Sequence, residues 1–359
     1  MRIGIDAREL CGRPTGVGRY LAGLLDAWAA DDTTRRHEFL LYSHEAPAIA
    51  FDTRRFRTRT VSGSPGVLWE QLRLPLAIRS DRLDVLFAPA YTAPLASDVP
   101  LVVAIHDMSF VAHPEWFRTR EGVRRRWLTR RAAESARAIV TISEFSRREL
   151  IDHFDVRPDR IHVIPPGVPQ QLRRAASDNV GPLILFVGSI FNRRHVPDLI
   201  RAFGRIARKR ADCRLALVGD NRSYPREDLT RTIATEDLED RVEWRAYVSD
   251  AELRTMYSRA RAFAFLSEYE GLGLTPLEAL AAGVPPVLLD TAVARESCGE
   301  AAIYVPANDL AATAAALERA LFDEAERARI RAAAPAVLTR YSWPHAGRRT
   351  IAVIEDACR

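Results

Sequence analysis

Cysteine, lysine and long apolar runs are what this 359-residue chain has least of. Its four cysteines, Cys11, Cys213, Cys298 and Cys358, are scattered, with no C-x-x-C pair and no zinc-ligand spacing. They read as reduced thiols of a cytosolic protein, which excludes a disulfide-stapled scaffold. No apolar run approaches the roughly 20 residues of a membrane-spanning helix. The chain enters a strand pattern at once, Ile3-Gly4-Ile5, without a signal-peptide pattern, so a cytoplasmic location is expected. Neither a D-x-D motif nor a histidine cluster is present, so no metal site and no cofactor are expected. Lys209 is the sole lysine, which disfavours chemistry that needs one, such as a pyridoxal phosphate linkage. The net charge of +5 does not demand nucleic acid, and no recognition motif for it appears. Residues 1–170 hold 25 Arg/Lys against 21 Asp/Glu, residues 171–359 hold 27 against 26. The excess therefore sits in the first half, compatible with a basic face towards an anionic membrane.

What is present is strand–helix alternation in two halves. Apolar content of 47% over this length suits two soluble α/β domains with parallel sheets. Strands are expected near Arg2–Ile5, Glu38–Tyr42, Val85–Ala88, Leu101–Ile105, Ala138–Ile142 and Ile161–Ile164. The segment from Pro165 to Pro182 is polar and proline-bearing, and a linker is placed at 169–182, between a domain over 1–168 and one over 183–340. The second half restarts with Leu183–Val187, Arg214–Val218, Val242–Arg245, Ala262–Leu266 and Pro286–Leu288.

The stretch SEYEGLGLTPLEALAAG, Ser267 to Gly283, carries the densest chemistry. It follows a buried-strand pattern and reads as a glycine turn and then a helix. Thr275 is the expected N-cap, Pro276 the first helical residue, Glu278 the acid of a capping box and Gly283 the stop. A helix N-terminus favours phosphate, Gly271 and Gly273 admit close approach to the backbone, and Glu270 and Glu278 can accept hydrogen bonds from sugar hydroxyls. The bland reading is a solvated loop acid and a capping acid. The interval alone is weak, since Glu318 and Glu326 repeat it inside an alanine-rich helix.

EGLGLTPLEALAAG resembles the E-x7-E motif of retaining, two-domain glycosyltransferases of family 4, the group 1 glycosyltransferases, and within them a mannosyltransferase-like subgroup. The resemblance runs along nearly the whole chain. It implies a GT-B architecture, two Rossmann-like parallel-sheet domains facing across a cleft, with a C-terminal helix over 341–359 crossing back to the first domain. It also implies that Glu278 holds the nucleotide ribose, that Glu270 contacts the donor sugar, and that the backbone from Gly271 through Leu272 and Gly273 to Leu274, with Thr275, meets the sugar and diphosphate.

Other motifs join it. Gly16-Val17-Gly18 opens a helix, with Leu21 where a dinucleotide fingerprint wants its third glycine, so an NAD site is poorly supported. By resemblance Gly16 and Gly18 reach towards the donor phosphates; a plain tight turn is the alternative. His106 and Asp107 follow a buried strand at a sheet's carboxyl edge. They match the family's H-D-[LM]-S-F segment, which places them on the acceptor side and His106 among the catalytic residues. Arg193 and Arg194 follow a strand and can chelate a diphosphate with fixed geometry. They match the family's P-R-K-N loop, while Ser189 stands where some relatives have another arginine. Tyr247 and Val248 match the segment beside the nucleotide base. Pro166 replaces the family's usual asparagine, with no functional consequence assigned.

Residues 118–138 form a strongly basic helix candidate with a narrow stripe of Val123, Trp127 and Leu128. Two readings stay open: a solvated helix, or one in which Arg124, Arg125, Arg126, Arg130 and Arg131 meet lipid headgroups with Trp127 at the interface. The resemblance implies a metal-independent, retaining transfer of a hexose, mannose from GDP-mannose, to a glycan or lipid-linked acceptor in cell-surface polysaccharide synthesis. The enzyme is then cytoplasmic, or peripheral on the inner membrane face. The alternatives are a UDP-sugar-dependent transferase, a sugar-nucleotide epimerase of the same fold, and a non-catalytic basic binding protein.

Overall fold

The computed structural model describes residues 1–12, 15–169 and 181–359. The chain divides into two compact units, Met1–Gly167 with Tyr341–Arg359, and Val168–Arg340. Most of the expected 169–182 linker lies outside the described residues.

Unit 1 holds β1 (Arg2–Asp6), α1 (Gly16–Ala30), β2 (Glu38–Ser43), β3 (Phe56–Thr60), α2 (Leu74–Asp81), β4 (Val85–Ala88), β5 (Leu101–Ala104), α3 (Ser109–Ala112), α4 (Thr119–Ser135), β6 (Ala138–Thr141), α5 (Glu144–Phe154) and β7 (Ile161–Val163). Its seven strands pair in the order β3-β2-β1-β4-β5-β6-β7, all parallel. Covered on both faces, such strands read as continuous apolar runs, and β4, β5 and β6 are buried throughout. β3, sequence FRTRT, was not expected. Only Phe56 of it is buried and its arginines blunt an exposed sheet edge, so it carries no core pattern.

Alternation along β2 separates the two faces of this sheet. Phe39 stacks on Trp28 of α1 with ring centroids 5.5 Å apart, while Leu40 and Tyr42 join a core cluster with Leu74 and Ile78 of α2, Ala132 and Ala133 of α4 and Leu150 of α5. The Trp28 indole donates to the Gly347 carbonyl at 2.9 Å, so the last helix of the chain, Trp343–Asp356, packs on α1.

Unit 2 holds β8 (Leu183–Val187), α6 (Val196–Ala207), β9 (Arg214–Val218), α7 (Leu229–Thr235), β10 (Val242–Arg245), α8 (Asp250–Arg259), β11 (Ala262–Phe265), α9 (Leu274–Ala281), β12 (Pro286–Leu289), α10 (Ala292–Cys298), β13 (Ile303–Val305), α11 (Leu310–Phe322) and α12 (Glu324–Leu338). The six strands run parallel in the order β10-β9-β8-β11-β12-β13. The three-residue β13 was not anticipated. In each unit the order reverses beside a central strand, between β1 and β4 and between β8 and β11. Open α/β sheets bind ligands at the carboxyl ends of the strands flanking such a reversal. Those ends carry the candidate residues.

Candidate active site

In unit 2, two loops meet at the β8/β11 edge. After β8 the chain turns through Gly188 and Ser189 into a short helical turn, Asn192–Arg194, ahead of α6. After β11 comes Ser267 to Gly273. Arg194 ties the loops together: its Nε donates to Glu270 Oε1 at 2.7 Å, Nη2 lies 2.7 Å from the same oxygen, and Nη1 donates to the Ser189 carbonyl at 2.7 Å. Both side chains are mostly buried, and the guanidinium also stacks over Phe265 at 4.8 Å. Ser267 donates to Glu270 Oε1 at 2.8 Å, and the Glu268 amide donates to the Arg193 carbonyl at 2.9 Å. Arg193 lies over the Phe191 ring at 4.4 Å.

The helix at this site starts differently from its sequence pattern. Gly273, at φ +87°, is the N-cap and α9 begins at Leu274, so Thr275 lies inside the first turn and no side chain caps the helix. A residue with a Cβ is strained at that φ. Glu278 is no capping acid: its Oε2 accepts from the Tyr257 hydroxyl of α8 at 2.9 Å. Gly283, at φ +72°, does stand just past the helix end. Gly271 and Leu272 are buried and Thr275 half-buried. After β10, Tyr247 is exposed and Val248 buried.

Two contacts in this loop pair were not foreseen. His195, in the left-handed region at φ +47°, brings Nε2 to 2.8 Å from Glu268 Oε1, a close contact whose angle makes no hydrogen bond. Tyr257 sits 21 residues before its partner Glu278, beyond any local pattern.

In unit 1 the candidates gather at the ends of β1, β4 and β5. His106 is buried; its Nε2 faces the Pro89 carbonyl at 2.7 Å, and Tyr20 packs edge-on at 4.7 Å. A carbonyl only accepts, so Nε2 carries the proton and Nδ1 is left as the acceptor nitrogen. Burial pushes the imidazole below its ordinary pKa, against the pull of Pro89 and Asp107. Asp107 accepts from the Ser109 amide at 2.9 Å, the Ser109 hydroxyl at 2.6 Å and the Tyr91 hydroxyl at 2.5 Å. Burial alone raises its carboxyl, but the Arg125 charge and these bonds outweigh that and leave it below the ordinary range.

Arg125 therefore corrects an expectation. It turns inward over Tyr91 and Phe110, 4.7 Å from each ring, and Arg126 reaches the Phe110 carbonyl at 3.5 Å. Arg124, Trp127, Arg130 and Arg131 stay on the outside of α4, with Arg130 and Arg131 both paired to Glu134. The expected stripe also divides: Leu128 is buried, whereas Val123 and Trp127 are exposed.

A further cluster beside β1 went unread. Arg8, nearly buried, bridges Asp6 and Glu70, and Thr92 donates to Glu70 at 2.5 Å. One cation for two buried carboxylates leaves Asp6 under-compensated. Burial, with Glu70 nearby and against Arg8, pushes its pKa up to about 6. The signal was present as Asp6-Ala7-Arg8, a charged pair closing an otherwise buried strand. Among the described residues, one trio with metal-ligand chemistry, Cys11, His44 and Glu45, also lies in this unit, its ligand atoms within 4.8 Å of one another.

The glycine loop has a structural demand of its own. Thr15 caps α1, accepting from the Gly18 amide at 3.0 Å. A Cβ on Gly18 would lie 2.4 Å from the Glu9 carbonyl oxygen, whereas one on Gly16 would meet nothing within 4 Å. Gly18→Ala is accordingly expected to lower stability by about 1–3 kcal/mol, and Gly16→Ala to leave it nearly unchanged. Thermal unfolding of the two variants checks the contrast; equal midpoints would remove the packing explanation.

Comparison with known proteins places this geometry. The fold matches a solved structure of Anabaena Alr3699/HepE in complex with UDP and glucose, with a TM-score of 0.77 over 99% of both chains at 19% identity. That likeness, with two doubly wound parallel sheets, defines the architecture as GT-B. Sequence profiles match the "Glycosyl transferases group 1" family over residues 169–337 and "Glycosyltransferase Family 4" over residues 14–172. A D-inositol 3-phosphate glycosyltransferase of Kineococcus radiotolerans is 30% identical over 291 residues, covering 72% of this chain and 67% of that one. A GDP-mannose:cellobiosyl-diphosphopolyprenol alpha-mannosyltransferase of Xanthomonas oryzae is 28% identical over 279 residues, covering 75% and 70%. The chain belongs to the group 1 glycosyltransferases.

Proposed function

We propose that this glycosyltransferase transfers mannose from GDP-mannose, with retention and without a metal, to a lipid-linked glycan in cell-surface polysaccharide synthesis at the cytosolic membrane face. The observation that carries the reading is the Arg194–Glu270 pair at the β8/β11 edge, ahead of a helix that no side chain caps. Arg194 spends Nε and one side of Nη2 on Glu270 and one N–H of Nη1 on Ser189, and keeps the outer N–H of each Nη for a diphosphate, with Arg193 beside it. The Leu274, Thr275 and Leu277 amides supply first-turn N–H groups for the same charge, Pro276 having none, and Ser189 offers a hydroxyl in place of a second cation. Gly271 to Gly273 let the sugar lie against the backbone, Glu278 takes the ribose hydroxyls, and Tyr247 and Val248 flank the base.

Glu270 is held by Arg194 and Ser267, which suits a positioning acid and not a nucleophile. Retention then follows from front-face attack. The acceptor oxygen bonds to the anomeric carbon on the side from which the nucleoside diphosphate departs, and its proton passes to the leaving phosphate oxygen. Neutral His106 steadies the sugar or acceptor hydroxyl through Nδ1, with Asp107 behind it. Donor choice is supported by the Xanthomonas relative's name; the UDP in the HepE complex favours a UDP-sugar as the second reading. Lys209 sits exposed against Glu318 just past the end of α6, which suits no pyridoxal phosphate linkage.

Titration calorimetry with GDP, UDP, ADP and dTDP, with and without Mg²⁺, on the protein and on Glu278→Ala, tests this. One nucleotide should bind without metal and weaken by about tenfold or more in the variant, as loss of a charged hydrogen bond implies. No binding at all, or an unaffected variant, returns the epimerase and binding-protein readings.

A further inference from the structure

Cys11, His44 and Glu45 take no part in the proposed transfer, yet two separate loops bring them together at one edge of the first sheet. Cys11 follows β1 and the short helical turn Arg8–Leu10, just ahead of the Thr15 cap of α1, while His44 and Glu45 leave the end of β2. No spacing motif announces the trio, because its members meet only through the pairing of β1 with β2. Backbone bonds pin the two segments to each other. The Ala7 amide donates to the Tyr42 carbonyl at 2.8 Å, and the Ala48 and Ile49 amides both donate to the Leu10 carbonyl, at 2.8 and 3.3 Å. The Glu45 carbonyl accepts from the Cys11 thiol at 3.6 Å and from the buried Ser43 hydroxyl at 2.7 Å. The His44 side chain is only 12% exposed and lies edge-on to the buried Trp69 ring, centroids 6.3 Å apart. Its Nε2 stands 3.7 Å from Glu45 Oε1, beyond hydrogen-bond length, and its Nδ1 is buried without a partner among the described residues. The ring therefore has a nitrogen to offer a ligand.

We propose that these three side chains form a Zn²⁺ site, with the Cys11 thiolate, one His44 nitrogen and the Glu45 carboxylate as ligands and water in the fourth position. Their ligand atoms already lie within 4.8 Å of one another, and the Glu45 side chain, 58% exposed, has room to turn and close the set. One sulfur, one nitrogen and one oxygen suit Zn²⁺ in a four-coordinate site, whereas Mg²⁺ and Ca²⁺ take oxygen ligands. On binding, the ion sheds water, the Cys11 S–H bond breaks with its proton released to solvent, and the sulfur bonds the metal. The ion ties the connection that leads into α1, and so to Gly16 and Gly18, to the end of β2. It braces unit 1 and supplies no step of the transfer, whose proposed diphosphate ligands Arg193 and Arg194 lie in unit 2.

The test uses Co²⁺ as a coloured stand-in for Zn²⁺, with a non-chelating reductant keeping the thiols reduced. The parent should develop a thiolate-to-cobalt charge-transfer band and the visible bands of a four-coordinate ion, and added Zn²⁺ should bleach both. Cys11→Ser should lose the charge-transfer band, whereas Cys358→Ser, a change at the other partly exposed cysteine, should keep it. In calorimetry Cys11→Ser, His44→Ala and Glu45→Gln should each bind Zn²⁺ about tenfold or more weakly, since loss of even an outer-shell partner costs that much. Zn²⁺ should raise the thermal midpoint of the parent by several degrees and leave that of Cys11→Ser in place. A cooperative metal-free transition shows that each variant folds, and Glu45→Gln, at an exposed position, keeps the test open if a partly buried variant does not. A charge-transfer band that survives in Cys11→Ser, or equal Zn²⁺ affinity in parent and variants, overturns the proposal. So does cobalt binding in the parent without a thiolate band, the mark of an adventitious histidine–carboxylate contact, and so does the absence of any cobalt band.

Discussion

Replacing Arg194 by alanine is expected to cut kcat/KM by about a hundredfold or more, roughly 3 kcal/mol of transition-state stabilisation. Two losses combine. The diphosphate loses a guanidinium placed at the carboxyl end of β8, and the largely buried Glu270 loses the cation that holds it. The Phe265 and Phe191 rings that flank the guanidinium leave the pair little water to replace that cation. Arg194→Lys keeps the charge but cannot reach Glu270 and the Ser189 carbonyl together, so it should fall between the two, about tenfold down. The split of parameters identifies the cause. A diphosphate contact made in both ground and transition states raises KM, whereas a misplaced Glu270 lowers kcat. Calorimetry with the nucleoside diphosphate, which lacks the transferred hexose that Glu270 would touch, isolates the first effect. Wild-type affinity and turnover in Arg194→Ala would mean that the β8 loop is not the phosphate site.

Unit 2 was legible in the sequence where its signals are local. β8 and β9 match their expected bounds because strands buried on both faces write themselves as apolar runs between turns, while the edge strand β10, VEWR, matches on alternation, with Val242 buried and Trp244 half-buried. What failed depends on contacts far along the chain. Thr275-Pro276 followed by Glu278 looks like a helix start, yet the turn at Gly273 begins the helix two residues earlier than a Thr275 cap allows. Tyr257, on another helix, claims the Glu278 carboxylate. Arg125 is one arginine among seven with nothing in its neighbours to single it out; only Asp107, Tyr91 and Phe110, brought in by β4, β5 and α3, turn it inward. The exposure of Leu68, Leu72 and Leu76 follows from Trp69, Leu74 and Ile78 taking the inner side of their helix.

That inward arginine gives the second large effect. Asp107→Asn and Arg125→Ala are each expected to lower kcat by about ten- to a hundredfold, at or below the low end of what a positioned acid–base group contributes because both act through His106, with nucleotide affinity unchanged because the proposed nucleotide contacts Arg194, Tyr247 and Glu278 lie in unit 2. The path runs through a strained turn. Tyr91 sits at φ +68°, a conformation costly for a tyrosine, and its hydroxyl bond to Asp107 with Arg125 over its ring holds it there. The same turn carries Pro89, whose carbonyl fixes the His106 tautomer. Burial keeps His106 neutral at pH 7, so protonation belongs to the acid side, below the free value of about 6.5. Its contribution to stability is in place above that value and is lost as pH falls towards the depressed folded one. The acid limb of the kcat profile should therefore lie below that of a free histidine. Asp107→Asn removes a charge that favours the imidazolium, so the limb should move to still lower pH. Imidazole nitrogen shifts by NMR give a readout apart from turnover: protonated Nε2 and bare Nδ1 in the parent, a mixture of tautomers in Arg125→Ala. A superimposable pH profile in Asp107→Asn, or an Nδ1–H tautomer in the parent, would leave Asp107 and Arg125 with a purely structural part.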